Sequence, residues 1–305
     1  MKILYFTTHD ADYLQDGILY GLRMKYGDDV VDYPKKDIIY EAEGNRDIYG
    51  RGFTLYGNLK DTKINRETIF DDWNNGLYDL TVFGSVYRQQ YDLAYYRNYG
   101  IMNKVKTKWA FLDGEDDGFG TVADAINFGT YFKRENPFNY NIKIIGLSIP
   151  EKKMLEGKPI KTKTFTTHVQ CKEAFMIQEV MDNCTNRPLF GKEEDYYHDL
   201  TVSKYGITMK KSGWDVPRHM ENAGHYVVNC IYNRGWDNTT WEDKPDVHPL
   251  GLKDMENCII WDTPEELANK IKEADKNYDK ISEASRRWAD TKTCEYMADY
   301  FIKNV

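Results

Sequence analysis

The stretch SGWDVPRHMENAG, from Ser212 to Gly224, constrains the fold more than any other part of the sequence. Proline is tolerated in the first turn of a helix, so Pro217 is compatible with a short helix beginning there. Arg218 and Glu221, three residues apart, lie on one face of that helix. The apolar run Tyr226–Val228 follows directly and predicts a buried strand. A helix of this kind between buried strands indicates an α/β domain.

Short apolar runs alternate with helical periods along most of the chain. The predicted strands are Lys2–Thr7, Val30–Tyr33, Leu80–Phe83, Trp109–Leu112, Ile142–Leu147, Thr162–Thr167, Tyr205–Met209, Tyr226–Cys230 and Cys258–Trp261. The predicted helices include Gln15–Met24, Arg66–Trp73, Tyr91–Tyr99, Val122–Asn127, Cys171–Asn183, Glu193–Val202, Pro264–Ala274 and Tyr278–Trp288. Buried strands separated by helices predict mainly parallel sheets with helices on both faces.

The length of 305 residues favours two domains, because single domains usually have about 100–200 residues. The segment SIPEKKMLEGKPIKTKT after Leu147 is rich in lysine and proline and is typical of a connection between domains. We therefore predict two doubly wound α/β domains, residues 1–147 and 148–291. The last helical segment, within 292–305, is predicted to pack back on the first domain.

Composition narrows the classes of partner and compartment. A net charge of −8 and the absence of a long basic block disfavour a nucleic-acid partner. Five widely spaced cysteines without a C-x-x-C pair are typical of buried thiols in a reducing compartment. The N-terminus lacks the pattern of a secretory signal, and no stretch approaches the ~20 apolar residues of a membrane span. These features predict a cytoplasmic protein without a transmembrane segment.

The motifs of the second half resemble the donor-binding domain of GT-B glycosyltransferases. The likeness is to family-1 and family-4 types and to the CgeB-like bacterial and phage group. It rests on an R-x-x-E helix, Arg218 to Glu221, with Gly224 and a buried strand behind it, and on the later acidic helix start Pro264-Glu265-Glu266-Leu267. Weaker matches in the first half are DYLQDGILYGLR, LDGEDD and YFKRE.

This resemblance implies a GT-B fold, in which two Rossmann-like domains face a central cleft. It implies an enzyme that moves a sugar from a nucleotide-diphosphate sugar, with a UDP-sugar favoured, to an acceptor hydroxyl. The first domain would bind the acceptor and the second the nucleotide sugar. The resemblance also implies no other cofactor and no bound metal, since helix N-termini and basic side chains stabilise the leaving diphosphate in such enzymes.

The residue chemistry independently fits a sugar-nucleotide site. A carboxylate such as Glu221 can accept hydrogen bonds from both ribose hydroxyls, and Arg218 or Lys204 can bind the diphosphate. The loop Gly213-Trp214-Asp215 precedes the helix, whose first N–H groups favour an anion. His168 follows the first strand of the second domain, where the resemblance places the donor; a buried structural histidine is the alternative. Arg218 and Glu221 could also form an ordinary surface ion pair.

Polar residues after the first strand are the candidates for acceptor chemistry. His9 and Asp10 lie at the predicted carboxyl edge of the sheet, and histidine is a suitable general base because it titrates near neutrality. The other predicted acceptor-binding residues are Asp12, Tyr13, Asp16 and, in the acidic run 113–117, Asp116. Alternatively, His9 and Asp10 cap the next helix.

Several alternatives remain open at the level of sequence. Position 213, eight residues before Glu221, is glycine, so the E-x7-E pattern of retaining enzymes is absent and the stereochemical outcome is open. The acceptor could be a glycan, a small molecule or a hydroxymethylated DNA base, the last approached through lysines and arginine at Lys133-Arg134, Lys152-Lys153 and Lys210-Lys211. A non-catalytic sugar-nucleotide-binding module is a further alternative. An epimerase is disfavoured because no G-x-G-x-x-G follows the first strand.

Overall fold

The structure is a computed structural model that describes residues 1–40, 54–116, 120–134, 141–187, 190–211, 213–233 and 251–305. The chain divides into two compact units. Unit 1 comprises Met1–Glu151 together with Lys292–Val305, and unit 2 comprises Lys152–Thr291. No helix among the described residues has both the length and the apolar character needed to cross a membrane.

Unit 1 contains a parallel sheet of six described strands in the order β2-β1-β3-β4-β5-β6. The strands are β1 Ile3–Phe6, β2 Val30–Tyr33, β3 Leu80–Phe83, β4 Lys108–Asp113, β5 Thr130–Lys133 and β6 Ile142–Ile144. The helices between them are α1 Tyr13–Tyr26, α2 Ile69–Asn74, α3 Gln90–Asn98, α4 Ile101–Lys104 and α5 Ala123–Phe128.

The central strands of unit 1 are buried along their whole length. All four residues of β1 and of β3 are buried, as expected for strands covered by helices on both faces. The sheet order reverses at β1, because β2 lies on one side of it and β3 on the other. Ligands of open parallel sheets bind beyond the carboxyl ends of the strands at such a reversal. The segment between β1 and α1, which carries His9 and Asp10, lies at this edge.

Unit 2 contains a parallel sheet of four described strands in the order β10-β9-β8-β7. The strands are β7 Lys163–Phe165, β8 Ser203–Met209, β9 Val228–Tyr232 and β10 Ile259–Trp261. The helices are α6 Gln178–Asn183, α7 Glu193–Val202, α8 Pro217–Gly224, α9 Pro264–Ala274 and α10 Tyr278–Asp290. One apolar core joins the sheet to α9 and α10 through residues such as Trp261, Leu267 and Ile281.

Three elements differ from the sequence-based prediction, the first being the short helix α4, Ile101–Lys104, which was not predicted. Strand β5, Thr130–Lys133, was not predicted; it ends in Lys133, whose charge the structure buries in an ion pair with Asp113 at 3.0 Å. The helix predicted over Cys171–Asn183 is interrupted: a 3-10 turn spans Glu173–Met176, and Ile177 has extended backbone angles before α6 begins. A single extended residue is enough to end the continuous helical hydrogen bonding.

The C-terminal helix α11, Cys294–Asn304, packs against α1 within unit 1. Close approach requires glycine on α1: a Cβ added at Gly21 would lie 2.0 Å from the backbone oxygen of Cys294, and one at Gly17 would lie 2.7 Å from Ser148 Oγ. The absence of a side chain at Gly21 therefore permits the close approach of α1 and α11, and its absence at Gly17 leaves room for Ser148 in the segment after β6.

Replacing Gly21 with alanine should destabilise unit 1 by about 1–3 kcal/mol, because the methyl group overlaps backbone atoms that cannot move without shifting α11. Chemical unfolding followed by far-UV circular dichroism measures the change. Gly191→Ala is the matched control, since nothing lies within 4 Å of the position that its methyl group would take. Equal stability of Gly21→Ala and the wild type would contradict the described packing.

Candidate functional site

Helix α8 starts at the carboxyl edge of the unit 2 sheet. It begins at Pro217, in the segment that leaves the last residue of β8, Met209. The residue before the helix is Val216, whose side chain has no polar atom to cap the first turn, and the N–H of His219 donates to the Val216 carbonyl at 2.9 Å. The positive end of the helix dipole therefore lies at the edge where open parallel sheets bind ligands.

Arg218 and Glu221 form a largely buried pair on α8. Arg218 Nε lies 3.5 Å from Glu221 Oε2, with side-chain exposures of 29% and 12%. Tyr196 on α7 donates its hydroxyl to the same carboxylate oxygen, and the guanidinium lies over the Tyr196 ring, 5.2 Å from its centroid. We call Arg218, Glu221, Tyr196 and His168 the Arg218 cluster. An ordinary surface pair would be exposed, whereas this one is enclosed on the side of α7.

Burial and the neighbouring charges shift the pKa values of Tyr196 and Arg218 so that the phenol stays neutral and the guanidinium stays charged. Burial raises the pKa of Tyr196 well above its ordinary value, with Arg218 acting in the opposite direction and Glu221 in the same one. Burial acts to lower the pKa of Arg218, but Tyr196, Glu221 and Asp199 outweigh it and the net shift is upward. Arg218 is therefore a fixed cation held beside a neutral phenol.

His168 lies just beyond β7 at the same edge. Its Nδ1 is 3.1 Å from the carbonyl oxygen of Arg187. Burial lowers the His168 pKa, and the positive charges of Arg218 and Lys211 lower it further. His168 is therefore neutral near pH 7, and its titration responds to the Arg218 charge. The structure thus places His168 at the same edge of the sheet as Arg218 and Glu221, which follow it by about fifty residues in the sequence.

The carboxylate of Asp199 supports this edge of the sheet. It accepts hydrogen bonds from the Thr167 backbone N–H at 2.8 Å and from the Thr167 hydroxyl at 2.7 Å, and it pairs with Lys163 at 2.5 Å. These contacts fix the chain at Thr167, the residue directly before His168. Asp199 therefore links α7, which carries Tyr196, to the segment after β7.

Two further predicted donor-site residues, Gly213 and Trp214, are buried in the segment that connects β8 to α8. The Lys210 ammonium lies over the Trp214 ring at 5.0 Å. Both residues are therefore at the carboxyl edge, like Arg218.

The structure does not bring Lys204 together with these residues. It is the second residue of β8, five residues before Met209, and thus about 17 Å away along the strand at the amino edge. There it pairs with Asp275 at 2.8 Å. A cleft of about 600 Å³ opens at that edge, lined by Lys204, Tyr226 and Tyr278 among others. The expectation that Lys204 borders the same crevice as the α8 loop was wrong, because the strand separates them.

In unit 1, His9 and Asp10 are exposed in the segment between β1 and α1. Asp12 is buried and caps α1, accepting from the N–H groups of Leu14 and Gln15, each at 3.1 Å. The capping role considered for His9 and Asp10 therefore belongs to Asp12. Tyr13 is half-buried, with its ring 5.6 Å from that of Tyr56.

A buried lysine holds the segment that carries His9 and Asp10. The Lys36 ammonium donates to the carbonyl of Thr8 at 2.6 Å and to that of Asp10, and it pairs with Asp16 Oδ1 at 3.3 Å. Asp16 Oδ2 accepts from the N–H of Asp12 at 3.0 Å. Both charged side chains are buried, so the predicted acceptor residue Asp16 has its carboxylate turned into the protein. Together they clamp the backbone on each side of His9.

Burial raises the pKa of Asp16 to about 6, although Lys36 acts to lower it. An aspartate in the unfolded chain has a pKa near 3.9, so the folded protein binds this proton more tightly. Protonation of Asp16 therefore favours folding. Its contribution is fully present below about pH 4 and is lost as the pH rises through 6.

Replacement of Asp16 with asparagine should remove this titration. As the pH falls from 7 to 4, the unfolding free energy of the wild type should rise relative to Asp16→Asn by roughly 2–3 kcal/mol, since one pKa unit corresponds to about 1.4 kcal/mol. Urea unfolding of both proteins at several pH values measures this difference. Exposed Asp29, replaced in the same way, is the control. A constant difference between wild type and Asp16→Asn across this range would contradict the assignment.

The remaining predicted acceptor residue, Asp116, is exposed and pairs with Arg134. Neighbouring Lys133 is fully buried against Asp113, so it cannot present its charge to a nucleic-acid phosphate. Ser212 and Asp117, which belong to the sequence motifs, lie outside the described residues. Within the described ranges, no group of three or more histidine, cysteine or acidic side chains could hold a metal ion.

Sequence reasoning missed Tyr196 and Lys36. Tyr196 precedes α8 by a whole strand, and only its spacing of four residues from the buried Leu200 on α7 hints that it faces inward. Lys36 follows Lys35, and the two are indistinguishable in sequence, yet Lys35 remains partly exposed in pairs with Asp37 and Asp61. No local signal identifies Lys36 as the buried member.

No protein-family model and no curated protein matches this chain. Solved structures do resemble it. HepE from Anabaena in complex with UDP-glucose has a TM-score of 0.53 and 11% identity, covering 99% of this chain and 98% of that chain. HepE in complex with UDP has a TM-score of 0.55, 11% identity and 99% coverage of both chains. A glycosyltransferase from Rickettsia africae has a TM-score of 0.53 and 8% identity, with 99% and 97% of the two chains covered.

These similarities extend over nearly the full length of each protein. They confirm the prediction of a GT-B fold built from two α/β units with parallel sheets. At identities of 8–11%, the likeness concerns the fold. Any activity of this chain has to be argued from its own side chains.

Proposed function

We propose that this protein is a glycosyltransferase that takes a sugar from a nucleotide-diphosphate sugar, with a UDP-sugar favoured, and transfers it to an acceptor hydroxyl. The observation that carries the proposal is the Arg218 cluster, in which a half-buried arginine and carboxylate on α8 contact the buried phenol of Tyr196 on α7 at the carboxyl edge of unit 2. HepE, whose fold is similar, has been crystallised with UDP-glucose and with UDP.

In unit 2, each member of the cluster has a chemical role toward the donor. Glu221 would accept hydrogen bonds from the ribose hydroxyls, and Tyr196 holds the carboxylate by its hydroxyl. Arg218 would bind the diphosphate and stabilise the charge that develops as it leaves. The N-terminal N–H groups of α8 favour the same negative charge. Neutral His168 would donate a hydrogen bond to the donor, while Gly213 and Trp214 would form the wall of the pocket.

In unit 1, the exposed His9 would act as the general base that takes the proton from the acceptor hydroxyl, with Asp10 beside it. Asp12, Tyr13 and Asp116 would contact the acceptor. Asp16 and Lys36 would act on the backbone that carries His9 and would not contact the acceptor directly. The roles proposed here require no metal ion. The buried pairing of Lys133 gives no support to an acceptor in DNA.

Thermal unfolding in the presence of UDP-, GDP- and dTDP-sugars tests the proposal. A specific ligand at about 100 times its dissociation constant adds about 2.7 kcal/mol of stability, which shifts the midpoint by several degrees. One nucleotide class should give a saturable shift, and UDP-sugars are expected to be that class. Hydrolysis of the bound donor without acceptor would distinguish an enzyme from a non-catalytic binding module. No shift with any nucleotide sugar would overturn the proposal.

A further inference from the structure

Four tyrosines recur at every fourth residue through and around α3. Tyr87, Tyr91, Tyr95 and Tyr99 are 46%, 84%, 53% and 65% exposed. Tyr91 and Tyr95 lie within α3, Tyr99 is its C-cap, and Tyr87 lies in the turn just before the helix. Residues four apart are neighbours on a helix surface, so Tyr91, Tyr95 and Tyr99 follow one another over about 12 Å. The rings of Tyr95 and Tyr99 are 4.5 Å apart, which shows that the row is continuous at its far end. We call these four residues the tyrosine row.

The row is not needed to hold α3 in place. The opposite face of the helix enters the unit 1 core: Leu93 is buried, and the ring of Tyr96 lies 5.7 Å from Phe6 and 5.2 Å from Trp73. Tyrosines that merely fill half-buried positions would resemble Tyr96. The row instead presents ring faces and hydroxyls to solvent, and a contiguous exposed aromatic surface of this kind marks an interaction site.

The row begins at the candidate acceptor edge of unit 1. Arg88, next to Tyr87, has its Nη1 3.9 Å from Asp12 Oδ2 and 3.4 Å from the carbonyl oxygen of Ala11. Gln89 donates to the carbonyl of Thr7 at 3.2 Å. These contacts bind the start of the row to the segment that carries His9. From there the row runs along α3, so a ligand on it can extend directly from the proposed site of proton transfer.

The size and chemistry of the row favour a carbohydrate chain. Aromatic residues contribute about 150–250 Å² each, so four partly exposed rings offer roughly 500 Å², less than the ~800 Å² per partner of a stable protein interface. A tyrosine combines a flat apolar face with a hydroxyl at low entropic cost. A linear oligosaccharide has matching surfaces, with C–H faces for stacking and hydroxyls for hydrogen bonds repeated from one sugar ring to the next.

We propose that the tyrosine row is an extended acceptor subsite that binds a linear oligosaccharide with its reactive end toward His9. The direction of the chain rests on the proposed transferase function, whereas binding of the chain to the row does not require turnover. The acceptor would then be a glycan and not a small molecule, and acceptor binding should improve with chain length up to the length of the row.

The test uses three neutral hexasaccharides as probes, made of β1,4-linked glucose, α1,4-linked glucose and β1,4-linked N-acetylglucosamine, each compared with its monosaccharide. Affinity is measured by NMR titration without any nucleotide sugar. At least one hexasaccharide should bind the wild type at least tenfold more tightly than the monosaccharide. The triple variant Tyr91→Ala, Tyr95→Ala, Tyr99→Ala should lose at least tenfold, equivalent to about 1.4 kcal/mol.

Two control variants distinguish the loss of ring stacking on the row from the loss of any exposed tyrosine. The corresponding triple phenylalanine variant should keep most of the affinity, because the ring faces remain. Tyr296→Ala removes a tyrosine of similar exposure, 49%, from α11 and should bind like the wild type. Thermal unfolding checks that each variant is folded. If no hexasaccharide distinguishes the wild type from the triple alanine variant, the proposal is overturned. It is also overturned if the wild type dimerises and the triple variant is monomeric, since the row would then bind a second copy.

The outcome is separable from that of the proposed function. Row-dependent binding of a hexasaccharide without any nucleotide-sugar binding would support the subsite and overturn only the transferase proposal. Nucleotide-sugar binding without row-dependent glycan binding would overturn the subsite alone.

Discussion

Replacing His9 with alanine should reduce turnover by about 10²- to 10⁴-fold while changing the affinity for the nucleotide sugar less than about twofold, because a positioned general base contributes on this scale. The residues proposed to bind the donor are in unit 2, whereas His9 belongs to a unit 1 segment held by Lys36. Initial rates of nucleotide release in the presence of acceptor give turnover, and calorimetry gives donor affinity.

The matched control is His198→Ala, which removes an exposed histidine from α7. This variant should keep the wild-type rate. Asp16→Asn should lower the rate less than His9→Ala, because it acts on the backbone that carries the base. Wild-type turnover in His9→Ala would exclude His9 as the base. Loss of donor affinity equal to the loss of turnover would instead place the residue in binding.

Replacing Arg218 with alanine should weaken nucleotide-sugar binding by roughly 30- to 1000-fold. Arg218 is proposed to bind the donor diphosphate, and removing one partner of such a charge-assisted contact costs about 2–4 kcal/mol of binding free energy, where 1.4 kcal/mol corresponds to tenfold. The affinity of Arg218→Lys for the nucleotide sugar should lie between those of the wild type and Arg218→Ala, because lysine keeps the charge but lacks the planar group that lies over Tyr196. Calorimetric titration with UDP-glucose measures all three proteins.

Lys204→Ala is the informative control for this series. Sequence reasoning placed Lys204 at the donor phosphates, whereas the structure places it at the amino edge of β8 in a pair with Asp275. The variant should therefore bind UDP-glucose like the wild type. A loss as large as that of Arg218→Ala would contradict the separation of the two edges.

The α/β architecture and the place of α8 were predictable because local chemistry and long-range packing agree there. Within a helix, Pro217 is tolerated only near the start, which fixes where α8 begins. All five residues of β9 are buried, as expected for a strand inside a parallel sheet that is covered on both faces. The start of α9 is equally clear: Thr263 accepts from the N–H of Glu266 at 3.2 Å, and Glu266 accepts from that of Asp262 at 2.8 Å. Thr263 is the N-cap of α9, and its T-x-x-E spacing to Glu266, which is typical of a capping box, is visible in the sequence.

What the sequence could not supply is the identity of partners from other elements. Lys133 was considered as part of a basic surface and Lys36 was not singled out, yet both side chains are buried in ion pairs with carboxylates distant in sequence. Tyr196 reaches Glu221 only because α7 and α8 lie side by side. Lys204 was misplaced because it is close to α8 in sequence but not in space. The length of β8 lies between them, with Lys204 at its amino end and α8 beyond its carboxyl end.

Glu221 is proposed to bind the ribose of the donor, and a comparison of UDP with 2′-deoxy-UDP by calorimetry tests this role most directly. Wild-type protein should prefer UDP by about 10- to 100-fold, since a hydrogen bond to a charged group contributes about 1.5–3 kcal/mol. Glu221→Ala should bind both nucleotides weakly and with equal affinity. An undiminished preference for UDP in Glu221→Ala would show that the ribose is bound elsewhere and would contradict the central claim.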